Sequence, residues 1–396
     1  MTDMKKESKK IAILGSTGSI GRQSLDIAKR YDLSVEALAV SSDVHTLEDQ
    51  IREFSPKYVS VADESSAAAL AVSVADLPVR IFSGKDGICE MINELECDTV
   101  LNSVVGNAGL LPTLTAIECG KNIALANKET LVTGGELVMR RTREKGVSVL
   151  PVDSEHCAVH QCLRSGEKHE VAKLILTASG GPFFGRKREE LASVTLEDAL
   201  SHPTWSMGKK ITVDSATLMN KGFEVIEAAH LFEMKASDID VVVHRESIVH
   251  SMVAYRDGSV IAQMGVPDMR TCIAYALFET AHMPNVSPAP DFARIAKMTF
   301  FDPDEETFTL LPLAKYAFGE GGTLPAILNA ANDEAVRLFL QNKIKFTDIM
   351  DLVSESVHKY SKSRSRNAYS SGVPTIDEIR ESALLAEEYL HTLAGV

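Results

Sequence analysis

The chain is predicted to be an α/β protein, with a parallel sheet at its N-terminus, an α+β middle and a helical bundle at its C-terminus. Three features predict this. Over the first 150 residues, short apolar runs alternate with helical patterns, as a parallel sheet with right-handed crossovers requires. The first run enters a glycine-rich loop that opens a helix. Beyond residue 310 only helical periodicity remains.

A chain of 396 residues suggests about two or three domains rather than one core. Hydrophobic residues make up 45% and charged residues 24%, a globular balance that excludes a disordered chain. The net charge of −14 argues against nucleic acid as a partner, because such binding rests on cations that neutralise phosphates. Any bound phosphate must therefore be met by a local site. Cys89, Cys97, Cys119, Cys157, Cys162 and Cys272 form no CxxC pair and read as reduced thiols of a cytoplasmic protein. Residues 1–10 are polar and lack the apolar core of a signal peptide. No run approaches the roughly 20 apolar residues of a membrane span, so no membrane partner is expected.

Strands are expected at residues 11–14, 35–40, 58–61, 100–105, 123–126 and 147–152. Together they make a dinucleotide-binding domain over residues 1–152. The middle region, 153–281, starts with a strand at 173–177 that runs into Ala178-Ser179-Gly180-Gly181-Pro182. A poorly periodic stretch follows, about 181–209, holding the only tryptophan, Trp205. Its length marks a functional lid or disorder. Val249–Tyr255, Asp257-Gly258 and Val260–Met264 read as a β-hairpin. Residues 282–306, rich in Pro and Asp, read as a linker, and 307–396 as the helical bundle. Thr375 and Glu378 have capping-box spacing at the start of the last helix. The bundle is expected to give packing support.

Gly15-Ser16-Thr17-Gly18-Ser19-Ile20-Gly21 makes the N-terminal domain Rossmann-like. Glycines permit the tight turn and let backbone N–H groups approach a pyrophosphate, which the helix N-terminus favours. The spacing is GxxGxxG, so its strand–loop–helix setting carries the assignment. The second strand ends at Ser41-Ser42-Asp43, where such folds read the ribose. An acidic residue with no adjacent cation leans towards NADH; Asp43 reads equally as a helix cap.

Two polar clusters fall at carboxyl ends of strands: Asn127-Lys128-Glu129 and Asp153-Ser154-Glu155. Asp153 and Glu155 point the same way in extended backbone. Converging carboxylates repel unless a cation lies between them, and hard oxygen ligands suit Mg²⁺ or Mn²⁺. Spacing alone leaves metal binding and helix capping equally open. Asn220 and Glu224 share a helix face, with Lys221 three residues before Glu224. Apolar neighbours bury this helix, and buried charges need partners. His156 and His160 read as packing residues rather than zinc ligands.

Gly15 to Gly21, Leu125-Ala126-Asn127-Lys128-Glu129, Pro151-Val152-Asp153-Ser154-Glu155-His156, Ala178-Ser179-Gly180-Gly181-Pro182-Phe183 and His202-Pro203-Thr204-Trp205-Ser206-Met207-Gly208 stand in order along the chain. So do Ser215 to Gly222, Ser247-Ile248-Val249-His250-Ser251-Met252-Val253 and Gly265-Val266-Pro267-Asp268-Met269-Arg270. In these motifs the chain resembles the 1-deoxy-D-xylulose 5-phosphate reductoisomerase family over essentially its whole length.

The resemblance implies NADPH-dependent conversion of 1-deoxy-D-xylulose 5-phosphate to 2-C-methyl-D-erythritol 4-phosphate, a step in isoprenoid precursor synthesis. It implies a divalent metal, Mg²⁺ or Mn²⁺, on Asp153, Glu155 and Glu224. Lys128, Glu155 and His202 would be catalytic. Lys128, Ser154 and Glu155 would contact the substrate backbone, with Glu224 beside it. Ser179, Ser215, Asn220 and Lys221 would hold its phosphate, with His202 nearby. Trp205 and Met207 would sit on the lid. Gly15, Thr17, Gly18, Ser19, Ile20, Asn127, Glu129 and Gly208 would line the cofactor, with Ser41, Ser42 and Asp43 at the ribose. A homodimer is implied as well.

The chain departs from the family at Ser41-Ser42-Asp43, where Gly-x-Asn is usual, at Asn107, and at Arg245, where Pro is common. The last two are expected not to touch the chemistry. Two other readings stay open at this stage. A reductase of another phosphorylated carbonyl compound would need no metal, and a dinucleotide-sensing protein would need no Lys128 beside a carboxylate triad.

Overall fold

The computed structural model describes residues 9–205, 207–368 and 373–395. The start of the polar N-terminal segment and Ser206 of the expected lid lie outside the described residues. The described residues divide into two compact units rather than three domains. Among them, no helix is long and apolar enough to cross a membrane.

The first unit comprises residues up to 127, 140–153 and 268–287. Its sheet has seven parallel strands: β1 Lys10–Leu14, β2 Ser34–Val40, β3 Tyr58–Val61, β4 Arg80–Ser83, β5 Thr99–Asn102, β6 Asn122–Leu125 and β7 Val149–Pro151. The order is β4-β3-β2-β1-β5-β6-β7. β1 is the switch point, with β2 on one side and β5 on the other. A ligand crevice forms where strand order reverses, outside the carboxyl ends of the strands. β4 was not expected: only Ile81 and Phe82 are apolar, between Arg80 and Ser83. The expected strand at 100–105 stops at Asn102, and Val105 is exposed in the loop beyond.

The segment 268–287 corrects the expected boundaries. Its helix Met269–Leu277 packs against helix Ser19–Arg30, and Ile273, Ala274, Ala276 and Leu277 join the core of β1 and β2. Tyr31 Oη donates to Pro284 O at 2.6 Å. Residues 282–287, expected as linker, are thus part of a packed unit.

The second unit comprises residues 128–139, 154–267 and 288–395. Its sheet is mixed, ordered β11-β10-β8-β9, from β8 Val171–Ala178, β9 Ile239–Val243, β10 Val249–Tyr255 and β11 Val260–Met264. β8 and β9 are parallel; β10 runs antiparallel to β8 and β11. The expected hairpin forms, while β9 was not expected. The poorly periodic stretch is not structureless: it holds short helices Arg188–Leu191 and Leu196–Leu200.

The helices Leu310–Glu320, Leu324–Leu340, Phe346–Arg364 and Ile376–Ala394 make the expected C-terminal helical region, as part of the second unit. Their apolar faces share one core with β8, β9 and helix Met219–Phe232, through residues such as Leu176, Phe223, Leu311 and Ile327. Gly222 lies so close to the first of these helices that a Cβ there would stand 2.7 Å from Ala314 Cβ.

Candidate active site

The glycine loop of the first unit follows β1. Gly15 has φ +86°, and a Cβ there would lie 2.7 Å from Ser103 O, so only glycine fits the turn. Its N–H and that of Ser16 bond to Ala39 O at 2.8 and 3.0 Å, closing the loop onto β2. Gly18 is the N-cap of helix Ser19–Arg30, and its lack of a side-chain cap leaves first-turn N–H groups to meet an anion. Thr17, Gly18, Ser19 and Ile20 are partly or fully exposed there. Asn127 fastens the loop after β5, donating to Val104 O at 2.7 Å and Gly106 O at 2.9 Å. Ser41 and Ser42 are exposed after β2. Asp43 caps helix Val44–Phe54, accepting from Thr46 N at 3.2 Å, so capping is what its side chain does.

In the second unit a sharp chain reversal builds the charged centre. Leu218 adopts a left-handed conformation (φ 60°, ψ 10°), separating helix Lys209–Ala216 from helix Met219–Phe232. The second helix then presents Asn220, Lys221, Glu224 and Glu227 on one side. Asn220 Nδ2 donates to Glu224 Oε1 at 2.6 Å, and Lys221 is ion-paired with Glu224. Lys221 also reaches Glu155 Oε1 at 3.2 Å. Lys128 opens helix Lys128–Lys145 and lies 3.1 Å from Glu224 Oε1 and 3.9 Å from Glu227 Oε2. Glu155, in the first turn of helix Ser154–Leu163, accepts from Ser154 Oγ at 2.6 Å. Glu155 and Glu224 bring carboxylate oxygens within 4.8 Å of one another. Asp153, the last residue of the first unit, immediately precedes that helix.

Burial opposes the charges of Glu155, Lys128, Lys221 and Glu227. It works against the Glu155 carboxylate, but Lys221 and then Lys128 hold its pKa well below the usual range. It works against the Lys128 ammonium too, which Glu224, Glu227 and Glu155 keep protonated. Glu227 goes the other way: burial pushes it up to about 8, with Lys128 opposing. His156 donates from Nε2 to Glu224 O at 2.8 Å, since a carbonyl only accepts. Burial lowers its pKa to about 3, leaving it a neutral packing residue. Asn220 Oδ1 and Glu227 Oε2 are buried without a hydrogen-bond partner, so the cluster has polar capacity to spare.

A second group gathers after β8. Gly180 (φ +76°) and Gly181 (φ +65°) turn the chain, and a Cβ on Gly181 would lie 2.6 Å from Ser215 O. Gly181, two residues beyond Ser179, is thereby packed against the backbone of Ser215. His202 Nδ1 accepts from Thr204 N at 3.2 Å and Trp205 N at 3.0 Å, so its proton is on Nε2, which faces Ser179 Oγ at 3.0 Å. Ser179 Oγ also accepts from Gly181 N at 3.3 Å. With its oxygen so engaged, Ser179 can offer its own hydroxyl hydrogen to an acceptor. The Trp205 ring packs 6.4 Å from that of His250. Met207 is partly buried, and Gly208 is the N-cap of helix Lys209–Ala216.

Three contacts were missed in the sequence. Glu227 stands one turn after Glu224 on the same buried helix, a spacing that could have revealed it. Lys210 reaches Glu129 Oε1 and Asp214 Oδ2 at 3.1 Å each and Asp333 Oδ1 at 2.9 Å. The C-terminal helices therefore contribute charge as well as packing. Arg245, expected to stand clear of the site, donates from Nη1 to Ser179 O at 2.7 Å and Gly181 O at 2.8 Å. The register places it there, because β9 pairs Val243 with Ala178.

Known proteins show which family the chain resembles. Residues 11–135 match the family model for 1-deoxy-D-xylulose 5-phosphate reductoisomerase, 149–232 that family's C-terminal domain and 264–383 the DXP reductoisomerase C-terminal domain. The chain is 51% identical over 375 residues to the reductoisomerase of Caldanaerobacter subterraneus subsp. tengcongensis, covering 94% of this chain and 95% of that one. It is 46% identical to that of Agathobacter rectalis, covering 96% and 99%. Among solved structures, the Zymomonas mobilis enzyme in complex with NADPH superposes with a TM-score of 0.89 at 38% identity, covering 98% and 99%. A DOX-P reductoisomerase in complex with NADPH, fosmidomycin and magnesium does so at 0.92 and 37%, covering 98% of each chain. The chain belongs to the 1-deoxy-D-xylulose 5-phosphate reductoisomerase family.

Proposed function

We infer that this chain rearranges 1-deoxy-D-xylulose 5-phosphate and reduces the product to 2-C-methyl-D-erythritol 4-phosphate, using NADPH and a divalent metal. The observation that carries the site assignment is the convergence of Glu155 and Glu224 with Lys128 and Lys221 in a buried cluster. A purely structural ion pair needs no second facing carboxylate.

The donor set fits the metal. Carboxylate oxygens are the ligands of Mg²⁺ and Mn²⁺, and Asp153, Glu155 and Glu224 would supply them. When bound, the metal acts as a Lewis acid on substrate oxygens, and NADPH supplies the hydride. Lys128 would stabilise negative charge developing on a substrate oxygen, which its retained proton suits. Ser154 and Glu155 would orient the hydroxyls of the carbon skeleton. Ser179, Ser215, Asn220 and Lys221 would hold the phosphate. His202 would donate from Nε2 and keep Ser179 turned towards it. Lys221 points at the carboxylates in this arrangement, so its reach would span both groups. Trp205 and Met207 on the lid would exclude water during the rearrangement.

Gly15, Thr17, Gly18, Ser19, Ile20, Asn127, Glu129 and Gly208 would bind the dinucleotide. A homodimer is proposed through β11. This strand lies at the edge of its sheet with Val260, Ile261 and Met264 exposed, a surface suited to pairing. A cytoplasmic location is proposed on the six free cysteines.

Product analysis tests the reading. Incubation with 1-deoxy-D-xylulose 5-phosphate, Mg²⁺ and NADPH should give, by NMR, a branched skeleton with its methyl group on a quaternary carbon. A straight-chain alcohol would mean reduction without rearrangement and would refute the proposal.

A further inference from the structure

We propose that Arg245 is a positioning residue for phosphate recognition, acting through the backbone of the Ser179–Gly181 loop. The inference rests on the proposed assignment of Ser179 and His202 to the substrate phosphate.

The loop has a mechanical weakness. Ser179 is followed by two glycines, both in the left-handed region, and glycine loses more backbone freedom on ordering than any other residue. The Ser179 hydroxyl can recognise an anion only if that turn is held in one geometry. Arg245 supplies the hold. One guanidinium nitrogen donates to the carbonyls of Ser179 and Gly181, at 2.7 and 2.8 Å, bracketing the glycine pair. The guanidinium carbon also lies 5.1 Å from the ring centroid of Phe184, at the start of the lid stretch. The other side of the turn is fixed by sterics, with Gly180 against Val243 and Gly181 against Ser215 O. The clamp thus connects the end of β9, the turn and the lid through one side chain.

The same contact matters electrostatically. Two carbonyl oxygens facing one another beside an anion site would repel the anion. The guanidinium neutralises both dipoles and adds a positive charge behind the serine; at His202, burial first and then this charge disfavour protonation. Charge-assisted bonds of this kind are stronger than neutral ones. A lysine in this place would keep the charge but replace a planar, pre-organised guanidinium with a flexible ammonium.

The experiment compares wild type, Arg245→Met and Arg245→Lys in steady state, with Ser179→Ala as a control. Arg245→Met should raise KM for 1-deoxy-D-xylulose 5-phosphate by about tenfold, the weight of one charge-assisted hydrogen bond. Its kcat should stay within about threefold, with KM for NADPH unchanged. Competitive inhibition by inorganic phosphate should weaken by a similar factor, and Arg245→Lys should recover part of both losses. An unchanged substrate KM in Arg245→Met, or equal losses in kcat and both KM values, would overturn the inference. Ser179→Ala separates the two claims. If it leaves substrate KM unchanged, the phosphate assignment of the loop fails; if it raises KM while Arg245→Met does not, only the role of Arg245 fails.

Discussion

The second unit holds two ionic clusters built from lysines and carboxylates, and they differ in dryness and direction. In the first, Lys128 and Lys221 face Glu155, Glu224 and Glu227. The side chains of Lys221 and Glu224 are only 4% and 2% exposed. In the second, Lys210 faces Glu129, Asp214 and Asp333, and water reaches it, with Lys210 25% and Asp333 32% exposed. The carboxylates of the second cluster surround one ammonium, and Asn332 satisfies Asp214 at 2.7 Å. Those of the first converge on each other as well as on the lysines. A cluster that closes around its own cation behaves as a brace. One whose carboxylates also converge, in a nearly dry setting, has a capacity that folding alone does not use.

Turnover should separate the clusters most widely. Glu224→Gln should reduce kcat by about 10³-fold or more, the scale of electrostatic stabilisation at a reacting oxygen, while NADPH binding survives. Asp214→Asn should cost less than about tenfold. Similar losses in both variants would break the contrast.

Stability gives the next test. Lys221→Met leaves Glu155 and Glu224 facing each other without their shared ammonium, and should cost about 3 kcal/mol in urea unfolding. Added Mg²⁺ should recover part of that loss. Lys210→Met should cost less, about 2 kcal/mol after allowance for solvent screening, with no recovery by Mg²⁺.

The smallest effect is in pH dependence. Although about a third of its side chain meets water, the covered remainder of Asp333 disfavours the charge and raises its carboxyl from the ordinary 3.8 to about 6, with Lys210 opposing. The folded state therefore binds this proton more tightly than the unfolded state. The resulting stabilisation is present below about pH 4 and is lost as pH rises through about 6. Asp333→Asn cannot titrate, so its stability relative to wild type should rise across that window. A pH-independent difference would mean that Asp333 keeps an ordinary pKa in the fold.

The sequence revealed most where the physics is local. Six of the seven strands of the first sheet were legible as apolar runs, and the cap at Thr375 formed as a capping box with Glu378. The Asn220, Lys221 and Glu224 face followed from helical spacing. What stayed hidden depends on register and long-range packing. Arg80–Ser83 is a strand because β3 offers a partner, and its own apolar content is slight. The return of 268–287 to the first unit is decided by the apolar face of its helix Met269–Leu277, whereas 268–281 was expected in the middle region and only 282–287 in the connector. Lys210 meets Asp333 only because helix Leu324–Leu340 packs beside Lys209–Ala216, and Arg245 meets Ser179 only through the pairing of β8 and β9.

The central claim is metal-assisted rearrangement coupled to reduction, and one titration tests it most directly. Protein stripped with a chelator is mixed with NADPH and 1-deoxy-D-xylulose 5-phosphate, and absorbance of the reduced nicotinamide is followed as Mg²⁺ is added. No oxidation before the metal and saturable oxidation after it is the predicted result. Full oxidation in the stripped protein, or none at any Mg²⁺ or Mn²⁺ concentration, would contradict it.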